Sequence, residues 1–426
     1  MVLRHLPVLI AFICLSCAFF WLALDNGFWQ GDDFLMLEHS LMMRDGTVTV
    51  FDSTPPYKFQ PLVHGLYYLL FNLFLFNAKG YFIFNMLLHG LNSYLVFLLV
   101  NTLLKDRTVA LISGVLFVFT VGSYGKSVMI VSGCEDLVIT ALTLLTMIFY
   151  FRNELYAGGR LLSPWFVLVL IFFFASMLTQ STSFSIIGAF LAFKFFFRLD
   201  THKRIISADF LVLLAIAAAA LVIKTTVFNY TPTFYTRDPG PLRFLYYAAK
   251  NLINYPVRMI FPIHTSHLVT EAGAAVRFIY MFATEIRILI ALTVISYSIF
   301  GFIFGNHTIR FFIAWTYIMV LPFAFFQFPH DWLNIRHLYI VSVGFIMVIS
   351  AGAVYCMRLI SHQSWKRFFP MIVPLFFIIL ARFIVTQLDR NYELKVASPK
   401  TAAYREDLAK NHPYVIIDGY ELRIDE

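Results

Sequence analysis

Charged side chains are few. Asp, Glu, Lys and Arg together make up 13% of the 426 residues, about half the quarter usual in soluble domains. With 60% hydrophobic residues and 49 Phe, the chain has more apolar surface than a water-soluble core can hide. That excludes a soluble globular enzyme and predicts a polytopic membrane protein. Cysteine is equally sparse. The four cysteines, Cys14, Cys17, Cys134 and Cys356, have neither metal-ligand spacing nor a disulfide framework. Cys14 and Cys17 form a C-x-x-C, but inside an apolar run where a thiol redox pair is out of place. His264, His267, His330 and His337 fall in no His-x-x-x-His or His-Glu-x-x-His pattern, so no histidine metal site is expected. A Walker loop, a Gly-rich dinucleotide turn and a nucleophile elbow are all missing. The chain is therefore not expected to bind a nucleotide, and any donor it uses arrives already activated in the membrane. The net charge of +8 sits in short loops between apolar runs, which reads as membrane topology rather than nucleic-acid binding.

What is present is a series of apolar runs. Spans are expected near 7–24, 81–100, 108–121, 137–151, 164–178, 183–197, 207–228, 286–305, 311–328, 340–360 and 370–387, about eleven in all. The first is expected to be an uncleaved helix rather than a signal peptide, because no small-residue cleavage site follows it. Residues 164–197 as one helix would be roughly 50 Å long, too long for a hydrocarbon core of about 30 Å, so a turn is expected at Thr179 to Thr182. Segment 61–76 is apolar but carries His64, Tyr67, Tyr68 and Asn72. Charge decides its placement. If it does not cross, Arg4, Lys105, Arg107, Arg152, Arg160, Arg198, Lys203, Arg204, Arg310, Lys366 and Arg367 all face the cytoplasm; if it crosses, that bias breaks from Lys105 onward. It is therefore expected to be an interfacial or re-entrant helix on the outer face. The expected architecture is an all-α transmembrane domain over 1–387, with a first outer loop at 25–60 and a large outer loop at 229–285. A short polar tail, 388–426, lies outside the cytoplasm.

The polar features collect on that outer face. Asp32 and Asp33 follow the first span in Gly-Asp-Asp-Phe. They read either as acids at the start of a helix beginning near Phe34, or as a general base held near the interface, where partial desolvation raises a carboxylate's basicity. Lys58 and Gln60 stand in Tyr-Lys-Phe-Gln-Pro-Leu, where the lysine either snorkels at a helix start or reaches a lipid phosphate. Glu135 and Asp136, with Lys126 nearby, either complement the start of a helix or belong to a site. Arg336, next to His337, either anchors a span end or offers a guanidinium fork to a phosphate.

Taken in order, these residues resemble motifs of the GT-C glycosyltransferases, the polytopic class that uses polyprenyl-phosphate sugars. The similarity is to the branch containing protein O-mannosyltransferases and the transmembrane mannosyltransferases with tetratricopeptide repeats. Gly31 to Phe34 resembles the acidic first-loop motif, and Tyr57 to Leu62 resembles a YRPL element with Gln60 in place of the arginine. Gly80 to Val100 resembles a helix motif with Asn85, His89 and Asn92 in register; Val131 to Leu137 resembles VSGRADL; and Arg336 to Phe345 resembles RYLYLPSVGF. Thr179 and Gln180 stand where the branch carries Lys-Glu, and no repeat domain follows.

The resemblance implies an inverting hexosyltransferase that moves a sugar from a polyprenyl-phosphate donor to a hydroxyl of a protein, lipid or glycan. It implies an active site on the outer face of a membrane, most simply the periplasmic face of a bacterial cell membrane. By carry-over Asp32 is the base and Asp33 its neighbour, which either orients it or binds a divalent cation. Arg336 contacts the phosphate with help from Lys58, while Gln60, His89, Glu135, Asp136 and His337 line the substrate site. Two other classes compete: a lipid-linked glycan polymerase or ligase, which relies on Arg and His in its large loop, and a transporter or flippase, which carries charges within its spans.

Overall fold

The computed structural model describes residues 2–28, 30–53, 58–119, 127–198, 206–226, 241–260, 283–324, 337–362, 414–417 and 420–423. They form a helical bundle. Its elements are α1 (Val2–Phe20), α2 (Gln30–Arg44), α3 (Pro61–Phe74), α4 (Ala78–Leu104), α5 (Arg107–Phe119), α6 (Cys134–Ala157), α7 (Pro164–Met177) and α8 (Ser185–Arg198). They continue with α9 (Ala208–Thr226), α10 (Pro241–Ile260), α11 (Ala283–Phe304), α12 (His307–Ala324) and α13 (Leu338–His362). A short antiparallel hairpin, β1 (Tyr414–Ile417) with β2 (Tyr420–Arg423), stands in the tail, so the described chain is not wholly α-helical.

Among the described residues six segments are long and apolar enough to cross a membrane: Leu6–Asp25, Ala78–Leu104, Val131–Ala157, Ala208–Thr226, His307–Ala324 and Leu338–Arg358. Apolar helices at Pro61–Phe74, Arg107–Phe119, Pro164–Met177 and Ile288–Phe304 are shorter. Leu211, Leu214, Leu221 and Val222 on α9 and Ile288, Leu289, Leu292 and Phe300 on α11 are exposed, faces that suit lipid and not water. A helix stands at each of the expected spans except 370–387, which lies outside the described residues.

Local sequence explains the boundaries. Asn77 accepts the Lys79 N–H at the start of α4, and Lys105 ends it in the left-handed region at φ 53°. Asp106 then accepts the Thr108 and Val109 N–H groups at the head of α5. The expected break in 164–197 is present: α7 stops at Met177, and a 3-10 turn at Ser181–Phe184 leads into α8. Two expected loops contain helices. Within 25–60, α2 forms because Phe34, Leu37 and Leu41 share one face and bury it. Within 229–285, α10 forms because Tyr255 and Met259, four apart, are buried together.

The core is built on α4, which packs against α1, α5 and α6, while α6 also packs on α7. α12 bridges α8, α10 and α13. Gly90 permits the α1–α4 approach, since a Cβ there would stand 2.6 Å from the Ile13 Cα. An ion network closes one end of the bundle. Lys194 on α8 donates to Asp209 on α9 at 2.7 Å and to Glu154 on α6 at 3.3 Å. Arg198 reaches both Glu154 oxygens, at 2.5 and 2.6 Å, and Tyr150 donates to Asp209 at 3.0 Å. A second clamp joins Arg358 on α13 to Asp106 through two hydrogen bonds of 2.5 and 3.0 Å. Hydrogen bonding from Arg358 holds the Asp106 carboxyl below its ordinary range.

Candidate functional site

The starts of α2, α6 and α13 meet. Asp32 and Asp33 occupy the first turn of α2. A carboxylate there is favoured by the helix dipole, but Asp33 does more than complement its own helix. It is fully buried, and one carboxylate oxygen accepts the backbone N–H of Ser132 at 2.6 Å, across 99 residues of sequence. Asp32 is exposed. The neighbouring acids therefore have different environments: one fixes α2 to the Val131–Gly133 turn, and the other faces outward.

That turn is tightly wound. A Cβ on Gly133 would stand 2.2 Å from the Ser127 carbonyl oxygen, so only glycine lets the strand of chain at Ser127 lie so close. Ser127 in turn donates to Asp136 at 3.4 Å. Glu135 and Asp136, in the first turn of α6, reach two further elements. Glu135 accepts from Gln180, just after α7, at 2.8 Å, and Asp136 lies 3.8 Å from His337 Nδ1. His337 stacks on Phe323 with ring centres 4.7 Å apart. Gln60, at the N-cap of α3, is buried, and Lys58 is exposed. The Leu62 N–H donates to the Leu178 carbonyl, which ties the start of α3 to the end of α7 near Gln180.

The structure thus brings Asp33, Glu135, Asp136 and His337 into one connected cluster, with Asp32 on its exposed side. His89 lies elsewhere. It has no exposed surface, sits 2.7 Å from the Tyr339 hydroxyl and packs on Phe20 and Phe117. Asn92 donates to the same hydroxyl at 3.1 Å and to the Leu137 carbonyl at 2.9 Å, and Asn85 donates to the Ile130 carbonyl at 2.9 Å. These three polar residues of α4 therefore hold the 130–137 segment and Tyr339 in place behind the acids, a positioning role. Arg336 and Lys126 lie outside the described residues. Sequence reasoning missed Tyr339, Ser127 and the backbone of Ser132. Tyr339 and Ser132 lie inside the Arg336 to Phe345 and Val131 to Leu137 segments, but a hydroxyl or a backbone N–H gives no signal in sequence of what it will bond, and Ser127 lies outside both. Among the described residues no three His, Cys, Asp or Glu side chains converge as a metal site.

A second polar pair joins α2 to α3. His39 on α2 and His64 on α3 have ring centres 4.2 Å apart, and His64 Nδ1 donates to the Val50 carbonyl at 3.2 Å. Burial, then the neighbouring His39, pushes the His64 pKa down to about 4, and burial lowers that of His39 against the pull of Asp52. Both are held neutral by the fold. For His64 the unfolded chain binds more protons between about pH 4 and 6.5, so its contribution is complete above about 6.5 and is lost as pH falls toward 4, and the lowered His39 acts in the same direction. For His64 alone it is on the order of 3 kcal/mol. The melting temperature in detergent is expected to fall across this window, and His64→Gln should flatten the slope. Parallel pH profiles for the two proteins would remove His64 from this account.

In comparison with known proteins, no family model matches the chain, and no curated protein matches its sequence significantly.

Proposed function

We propose that this chain is a membrane glycosyltransferase of GT-C type that transfers a sugar from a polyprenyl-phosphate donor to an acceptor hydroxyl, with inversion. One observation carries the reading beyond motif resemblance. Asp33 of the Gly-Asp-Asp-Phe segment bonds the backbone of Ser132 in the Val-Ser-Gly segment, so two motifs 99 residues apart form one structure with Asp32 on its exposed side. Asp32 takes the proton from the acceptor hydroxyl as its oxygen attacks the anomeric carbon. The bond from that carbon to the phosphate oxygen breaks, and polyprenyl phosphate leaves. Asp33, through Ser132, fixes the height of Asp32 relative to α6. The outer-face placement of the site, the tail outside the cytoplasm and the bacterial cell membrane belong to this same reading.

The direct test is to incubate membranes containing the protein with a radiolabelled polyprenyl-phosphate mannose and follow the label into protein, lipid and glycan fractions. No transfer above membranes lacking the protein would reject the reading. Arg336 gives a second test. Arg336→Ala is expected to weaken donor use more than Arg336→Lys, by about 2–5 kcal/mol against wild type, because lysine restores charge but not the two-pronged hydrogen bond. Unimpaired transfer by both variants would assign Arg336 to anchoring a helix end.

A further inference from the structure

Lys224 occupies the last turn of α9 and is 2% exposed. Its ammonium stands 5.8 Å from the ring centres of both Phe59 and Phe184. Among the described residues its Nζ has no hydrogen-bond partner. Gln60, next to Phe59 in sequence, is also buried, and its Oε1 likewise has none. A cation removed from water and faced, among the described residues, by aromatic rings is poorly compensated, because a ring quadrupole offsets a small part of the cost of dehydration. Among the described residues the other buried lysine is treated differently: Lys194 is enclosed and is met by Asp209 and Glu154. At Lys224 none of the described residues supplies the counter-charge. The position adjoins the acid cluster. Phe59 and Gln60 lead into α3, and Phe184 closes the 3-10 turn that begins directly after Gln180, the partner of Glu135.

We propose that Lys224 is the anchor for the phosphate of an isoprenoid lipid. The phosphate oxygens supply the missing acceptors for Nζ, and the hydrocarbon chain leaves along the exposed apolar flank of α9 at Leu221 and Val222. That the lipid is an isoprenoid rests on the glycosyltransferase reading; that the site takes a lipid-borne phosphate rests on the lysine, its rings and the apolar flank.

The experiment titrates the full-length protein in detergent with farnesyl phosphate, farnesol and inorganic phosphate. Farnesyl phosphate is expected to bind wild type, to bind Lys224→Met about 10- to 100-fold more weakly, and to bind Lys224→Arg within that interval. Farnesol should bind weakly and be indifferent to the substitution. Lys224→Met is expected to melt no lower than wild type without ligand, since it removes an uncompensated buried charge, so weakened binding cannot be put down to unfolding. A lower melting point would make Lys224 a structural counter-charge and overturn the proposal. Wild-type affinity of Lys224→Met for farnesyl phosphate would overturn it too. Saturation by inorganic phosphate as tightly as by farnesyl phosphate would make this a site for free phosphate and overturn the lipid assignment. Lysine-dependent binding by a protein that transfers no sugar would retire the transferase reading and leave this one standing.

Discussion

Replacing Asp32 by asparagine is expected to lower turnover by roughly 100-fold or more while leaving the protein folded in the membrane. The amide keeps the shape of the carboxylate and removes its ability to accept a proton. Because Asp32 is exposed, little packing depends on it, and the melting temperature should move by less than a degree or two. Asp33→Asn should behave differently. It weakens the charge-assisted bond from the Ser132 N–H, so its effect is expected to appear in stability and in the precision of the site together. Comparing turnover and melting temperature for both single variants separates proton transfer from positioning. Full activity in the doubly substituted protein would end the catalytic reading and leave both acids as structural elements of α2.

The second large effect concerns the buried ion network. Lys194→Met is expected to destabilise the protein by about 3–5 kcal/mol, because it leaves Asp209 buried without its cation, while Glu154 keeps only Arg198. Adding Asp209→Asn should recover part of the loss, since the amide no longer carries the stranded charge while Tyr150 still donates to its oxygen. The measurement is unfolding in detergent micelles for wild type, both single variants and the double. A loss below about 1 kcal/mol for Lys194→Met would mean that water already reaches this end of the bundle and screens the pair.

Much of this architecture was legible in the sequence because lipid imposes a simple rule: a long apolar run has to satisfy its own backbone, and a helix does so. The break between α7 and α8 was legible for the same reason, since a single helix there is too long for a membrane. Less legible was α10, while α2 was foreseen only as a helix beginning near Phe34 within an outer loop. Their apolar residues are spaced for one buried face and never form a run, so in a chain this hydrophobic the surrounding segments read as polar loops. The site was legible in part. Asp33, Glu135, Asp136 and His337 fall together as a cluster, whereas His89 looks like a site residue by motif and lies in the core. Motif spacing shows which residues share a helix face; it does not show whether that face meets a cleft or another helix. The charge pattern concealed a further fact. Arg198 counts as a cytoplasmic loop cation in the sequence, yet it is mostly buried and neutralised by Glu154.

Tyr339 has a consequence for how the protein is made. Its hydroxyl meets His89 and Asn92, which precede it by 250 and 247 residues. Ribosomes add about 5–20 residues per second, so α4 is threaded into the bilayer some 12 to 50 s before that hydroxyl exists. For that interval an imidazole and a carboxamide ride in a helix otherwise suited to lipid, and the nascent chain has to shelter them by other means. Chains that end before α13 never acquire the hydroxyl. They would present a polar-flawed bundle to membrane quality control, which makes the arrival of α13 the step that satisfies both side chains of α4.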